Sequence, residues 1–139
     1  DKECPPSDDS KVLANFLEEF DGLIVGSPLY NGTVPAQLSA FLEKNPYPYD
    51  EVLKDKVTSA IIVGSIGETV AALILTSWLA PGKHFVGWIE LDPRGTASRD
   101  AKLKDCWIRG NMMEDEQNRR RVKELAEKVY TKVLERKKG

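Results

Sequence analysis

The chain is poor in the residues that build most catalytic and metal centres. Its 139 residues include one histidine and two cysteines. His84 has no second imidazole with which to form a His-based metal cluster or triad, and its place at the start of an apolar run reads as a strand edge. Cys4 and Cys106 are too widely separated for a compact zinc site or a C-x-x-C redox pair, and they read as free thiols of a reducing cytoplasm. No serine sits in G-x-S-x-G, and neither a Walker A loop nor G-x-G-x-x-G occurs. Charge of one sign is also lacking: the net charge is -2, which argues against nucleic acid or an anionic membrane as partner. The basic clusters, Arg119–Arg121 and Arg136–Lys138, fall on one amphipathic segment and read as solvated surface. The longest apolar stretch, Thr69–Ala80, is too short to cross a bilayer. The first ten residues have neither a positive n-region nor an apolar h-region, so no secretory signal is expected. The sequence does not begin with Met, and it reads as a processed or incomplete piece of something longer.

What is present is enough for one domain. Hydrophobic residues make up 41% and charged residues 30%, the balance of a chain with a real core. Ser7, Asp8 and Asp9 signal a helix start, followed by Val12, Leu13, Phe16, Leu17 and Phe20 at helical spacing. GLIVG, Gly22–Gly26, reads as a short, fully buried strand. Thr33 and Pro35 open a helix with Leu38, Phe41 and Leu42 inward. NPYPYDEVLKDK reads as a loop, Val57–Gly64 as the second strand, Thr69–Ala80 as an apolar helix, and His84–Leu91 as the third strand. Asp92–Met113 has no period, and aperiodic segments of that length are often functional. Val122, Leu125, Ala126, Val129, Tyr130, Val133 and Leu134 define a long amphipathic helix. Apolar strands alternating with helices predict an α/β fold, an open parallel sheet with helices on both faces.

In such a sheet ligands sit beyond the carboxyl ends of the strands. Two loops reach that edge, Ser27–Thr33 and Ser65–Thr69. Each offers backbone N–H groups, hydroxyls and a glycine that allows close approach to a flat ligand. The same residues are turn formers, so plain strand-to-helix connection is the competing reading. Glu68 and Asp92 both follow strands, but two acids near a sheet edge do not by themselves specify acid–base chemistry.

The stretch DGLIVGSPLYNGTVPAQLSAFLEK closely resembles the second flavin loop of the NAD(P)H-dependent FMN reductase and iron–sulfur flavoprotein superfamily. VTSAIIVGSIGETVAAL is similar to that family's next strand and loop, with Ile66 in place of the first of a usual Gly-Gly pair. The resemblance runs from Ser7 to Gly87 and implies a flavodoxin-like fold. It implies FMN as cofactor, with Ser27, Pro28, Leu29, Tyr30, Asn31 and Gly32 on one side of the isoalloxazine and Ser65, Ile66, Gly67 and Glu68 on the other. It implies no catalytic side chain and no metal ligand. By the same resemblance, electrons would pass from NAD(P)H through the flavin to a quinone, a flavin or another small-molecule acceptor, or to a redox partner protein, in a cytoplasmic homodimer or homotetramer. The alternatives are an iron–sulfur flavoprotein electron carrier and a non-catalytic flavodoxin-like interaction domain. Cys4 matches a cysteine of the cluster motif, but its companions in that motif would lie upstream. The family's phosphate loop also lies upstream, so residues 1–139 are expected to be a single domain incomplete at its amino terminus. GLIVG would then lack a neighbour and form an exposed apolar edge.

Overall fold

The computed structural model describes residues 9–44, 52–64, 68–79, 84–91 and 115–138. Within them the order is α1 (Asp9–Glu18), β1 (Gly22–Pro28), α2 (Ala36–Lys44), β2 (Val57–Val63), α3 (Glu68–Leu79), β3 (His84–Leu91) and α4 (Glu116–Lys138). The strands form one parallel sheet in the order β1-β2-β3. This is the expected α/β architecture, a flavodoxin-like open sheet with helices on both faces. Asp92–Met113, the amino-terminal cap at Ser7 and both cysteines lie outside the described residues.

Alternation along the strands decides which helix meets which face. Leu23 and Val25 of β1 and Ala60 and Ile62 of β2 join a core cluster with Val34, Leu42, Ala71, Ala72, Leu75 and Leu79, from α2, α3 and the segment before α2. Thr58 on that face is fully buried, and its hydroxyl donates to the Leu79 carbonyl at 3.2 Å. Gly22 faces the other way, against Val129 and Val133 of α4. Asp115 caps α4, its carboxylate accepting from the Asn118 N–H at 2.8 Å. Arg120, part of the basic cluster, is exposed and pairs with Glu124 one turn on.

β1 is not buried on both faces as its apolar run predicts. Ile24 is 37% exposed, and Gly26 and Pro28 also face solvent. The reason is the position of α4, which packs over β3 and β2 and reaches β1 least. The strand also continues through Ser27 and Pro28, residues the turn chemistry assigns to the loop. α3 buries Ala71, Leu75 and Leu79 but leaves Val70 and Leu73 exposed, as a helix apolar nearly all round must unless something covers its second face.

The connection before β2 holds two residues that the polar sequence around them conceals. Leu53 is fully buried, forming a small cluster with Leu17 against which Leu23, Phe41, Val52 and Trp78 pack. Lys56 is 9% exposed, and its ammonium donates to the carbonyls of Glu18 and Phe20. The Glu18 carbonyl is an orphan acceptor at the end of α1 and Phe20 lies just beyond it, where a cation also meets the negative end of the helix dipole. Replacing Leu53 by Ala should lower unfolding free energy by about 2–5 kcal/mol in urea titration. Val12→Ala, at a side chain 69% exposed, should change it by no more than roughly 0.5 kcal/mol.

Candidate functional site

The carboxyl ends of β1 and β2 are tied together, and the first loop is built outward from that tie. Pro28 is in register with Val63, and the next residue, Leu29, donates its N–H to the Val63 carbonyl at 2.8 Å. Gly64 in turn donates to the Leu91 carbonyl at 3.1 Å, so the three strand ends form one rim. Gly64 is required there by space. A Cβ on it would lie 2.5 Å from Leu29 Cβ and 2.6 Å from Leu29 Cδ2.

Beyond the rim the chain makes a tight two-residue turn. The Tyr30 N–H donates to the Thr33 carbonyl at 2.9 Å, and the Thr33 N–H returns the bond to Tyr30 at 3.1 Å. Asn31 and Gly32 between them have φ of 50° and 78°. Positive φ at both central positions is the type I′ pattern that Asn-Gly favours. Val34, 2% exposed, then returns the chain to the core, and Ala36 begins α2.

Each predicted site residue has a distinct place in this frame. Ser27 is 2% exposed, and its hydroxyl donates to the Pro28 carbonyl at 2.9 Å, so its side chain faces the core. Pro28 ends the strand. Leu29 is half-buried over Gly64, and Tyr30 is 63% exposed. The N–H groups of Leu29, Tyr30 and Thr33 are committed within the rim and the turn. Those of Asn31 and Gly32, at the tip, carry no backbone hydrogen bond among the described residues. Glu68 opens α3. Ser65, Ile66 and Gly67 lie outside the described residues. His84, at the start of β3, is at the opposite end of the sheet from this rim. The described residues contain no group of three His, Cys, Asp or Glu able to hold a metal ion.

The arrangement suits a planar, hydrogen-bonding ligand. It offers two N–H groups that carry no backbone bond among the described residues, an exposed Tyr30 and a rim kept thin by glycine. Neither Ser27–Pro35 nor Gly64–Thr69 contains Lys or Arg, so these loops offer an anion no side-chain cation. Residue reading alone missed Gly64 and the used or free state of each N–H. The Asn-Gly dipeptide was the available signal for the turn, and its two-residue register is what leaves the tip amides open.

A profile of the family described as NADPH-dependent FMN reductase matches residues 1–87. The chain belongs to that family. Three similar proteins are iron–sulfur flavoproteins. One from Methanocaldococcus jannaschii is 38% identical over 63 residues, covering 45% of this chain and 33% of its own length. One from Archaeoglobus fulgidus is 34% identical over 94 residues, covering 62% and 43% respectively. A second from M. jannaschii is 30% identical over 152 aligned positions, covering 98% of this chain and 70% of the relative. The chain thus spans between a third and seven-tenths of the length of these relatives.

Gly64→Ala should displace Leu29 and loosen the rim, at a cost of about 1–3 kcal/mol in urea unfolding. Amide shifts in a two-dimensional NMR spectrum should change at Leu29 and Tyr30, next to the added methyl, and change little at Leu125 on α4.

Proposed function

We propose that this rim cradles the isoalloxazine of FMN, and that the domain is the flavin-bearing part of an oxidoreductase passing electrons from NAD(P)H to an acceptor. The observation that carries the reading is the pair of open N–H groups at Asn31 and Gly32, held by a type I′ turn at the carboxyl edge of a parallel sheet. Their role is to donate to the polar edge of the ring. Tyr30 supplies a face or edge for the ring, and Gly64 lets Leu29 pack close beneath it. Ser65, Ile66, Gly67 and Glu68 close the second side in this reading, and Ser27 contributes by fixing Pro28 rather than by touching ligand. Bound flavin supplies the hydride and electron chemistry, and the protein supplies position and electrostatics. Family membership and the flavoprotein names of the similar proteins support the reading.

An electron carrier of the iron–sulfur type is the second reading, favoured by those same names. This chain has two cysteines, too few for a four-thiolate cluster built from its own residues. Iron analysis together with an NAD(P)H oxidation assay separates the two.

Titration with FMN should give a perturbed flavin absorption band that travels with the protein. Gly32→Val places a β-branched residue at φ 78° and should weaken FMN binding at least about tenfold, or ~1.4 kcal/mol. Unchanged affinity in that variant, with the fold intact by circular dichroism, would remove the turn from the site.

A further inference from the structure

A cavity at the amino end of the sheet lies apart from the rim at its carboxyl end. It is enclosed by the end of α1, the segment entering β2 and the last turns of α4, and its volume is about 460 Å³. Small-molecule sites span roughly 300–1,000 Å³. The topology explains which residues meet there. Asp21 precedes β1 and Lys56 precedes β2, while Arg136 and Lys137 stand in the last turn of α4, so chain segments far apart in sequence converge where the strands begin. Phe20, Val52 and Val133 supply the apolar part of the wall.

Two of the three cations on this wall have donors to spare. Lys56 is buried, yet among the described residues no carboxylate lies within ion-pair distance of its ammonium. Its bonds to the Glu18 and Phe20 carbonyls use two of its three N–H groups. A buried charge is ordinarily offset by an opposite one, and the carbonyls at the end of α1 offset this one only in part. The Arg136 side chain is 29% exposed. Its Nη2 stands 3.6 Å from Asp55 Oδ1, beyond hydrogen-bond length, and Asp55 is 81% exposed. The guanidinium fork is therefore uncommitted among the described residues. The third cation, Lys137, is closely paired with Asp21. Glu18, the remaining acid of the wall, is exposed. Lysine and arginine number three and carboxylates three, so the cavity as a whole has no net charge with which to hold a dianion. A single negative charge shared by Lys56 and Arg136 meets both uncommitted cations and leaves Glu18 and Asp55 in water.

We propose that this cavity binds a small organic monocarboxylate, its oxygens held by the Arg136 guanidinium and the Lys56 ammonium and its hydrocarbon part packed on Phe20, Val52 and Val133. A planar carboxylate matches the guanidinium fork, and hydrogen bonds between such ionised groups are the strong ones. The apolar wall favours a ligand with a hydrocarbon body, which an inorganic anion lacks. As a tie for the end of α1 alone, Lys56 leaves its third N–H and the open Arg136 fork without a use. A bound carboxylate uses both, and by touching α4 and the segment entering β2 together it holds the last turn of α4 to the sheet. The site is at the opposite end of the strands from Asn31 and Gly32, and the proposal does not rest on flavin binding.

The test is a two-dimensional NMR titration of the 139-residue chain with benzoate. Benzyl alcohol serves as the uncharged counterpart, and inorganic phosphate as an anion without hydrocarbon. Benzoate should shift the Arg136 Nε–H signal and the Lys56 and Val57 amides to saturation, and leave the Asn31 and Gly32 amides unmoved. Its dissociation constant should be at least about tenfold below that of either control. Arg136→Gln and Lys56→Met should each weaken benzoate at least about tenfold, with the fold checked by circular dichroism. Because Lys56 also holds the end of α1, Arg136→Gln carries the test alone if Lys56→Met does not fold. Equal binding of benzyl alcohol would make the cavity a plain apolar hollow, and equal binding of phosphate would make it a general anion patch. Either result overturns the proposal, as does the lack of a saturable shift with benzoate or an unchanged affinity in Arg136→Gln.

Discussion

The parallel pairing of β1 with β2 is the constraint on which the rest depends. One register runs from Gly22 opposite Val57 to Pro28 opposite Val63, and Leu29 extends it by one bond. Had that register slipped by one residue, Leu23 and Val25 would leave the core and Gly22 and Ile24 would enter it. The loop inherits its position from the same pairing. Because Leu29 is still bonded to the sheet, the two-residue turn begins immediately beyond the rim, and Asn31 and Gly32 are held at its tip.

The economy of the rim follows from crowding. Gly64 and Leu29 occupy one volume, with room for a single side chain between them. Leu29 fills it, half-buried, and Val34 closes the loop from the far side. Three of the five N–H groups from Leu29 to Thr33 are used in holding the loop's own shape. A turn that used all of them would be only a turn. The two left over, on a turn whose φ values are already set, let the same residues serve both as connection and as binding surface.

The two faces of the sheet are unequally finished. α2 and α3 cover one face across β1 and β2. On the other, α4 follows β3 and β2 and touches β1 mainly at Gly22, which leaves Ile24 and Gly26 open. The buried end of the domain lies elsewhere, at Leu53 and Lys56, where an apolar side chain and a lysine ammonium together fasten the end of α1 to the segment entering β2. Leu17 of α1 is buried in that fastening, while Val12 and Phe16 on the same helix, and Phe20 just beyond it, stay exposed. Apolar surface left in water forgoes about 25 cal/mol per Å² of burial, so the open side of β1 contributes less to stability than the covered one.

The sequence by itself determined the elements and their order. Apolar runs of strand length and the 3.6-residue periods of α1, α2 and α4 are local signals, and local signals survive without tertiary context. His84–Leu91 is the strand read from the sequence, and the predicted helix at Thr69–Ala80 agrees with Glu68–Leu79 to within one residue at each end. The family resemblance was legible for the same reason, since it rests on a contiguous run of strand, turn and helix. Tertiary structure decided which apolar residues are buried. Ile24 reads as core and is open, whereas Leu53 reads as loop and is closed, because burial depends on where α4 crosses and where α1 ends. It decided also that Ser27 is buried while the Asn31 and Gly32 amides carry no backbone bond among the described residues, since side-chain direction and hydrogen-bond use are properties of register. A register is set between segments far apart in the chain, and no window of sequence contains both of them.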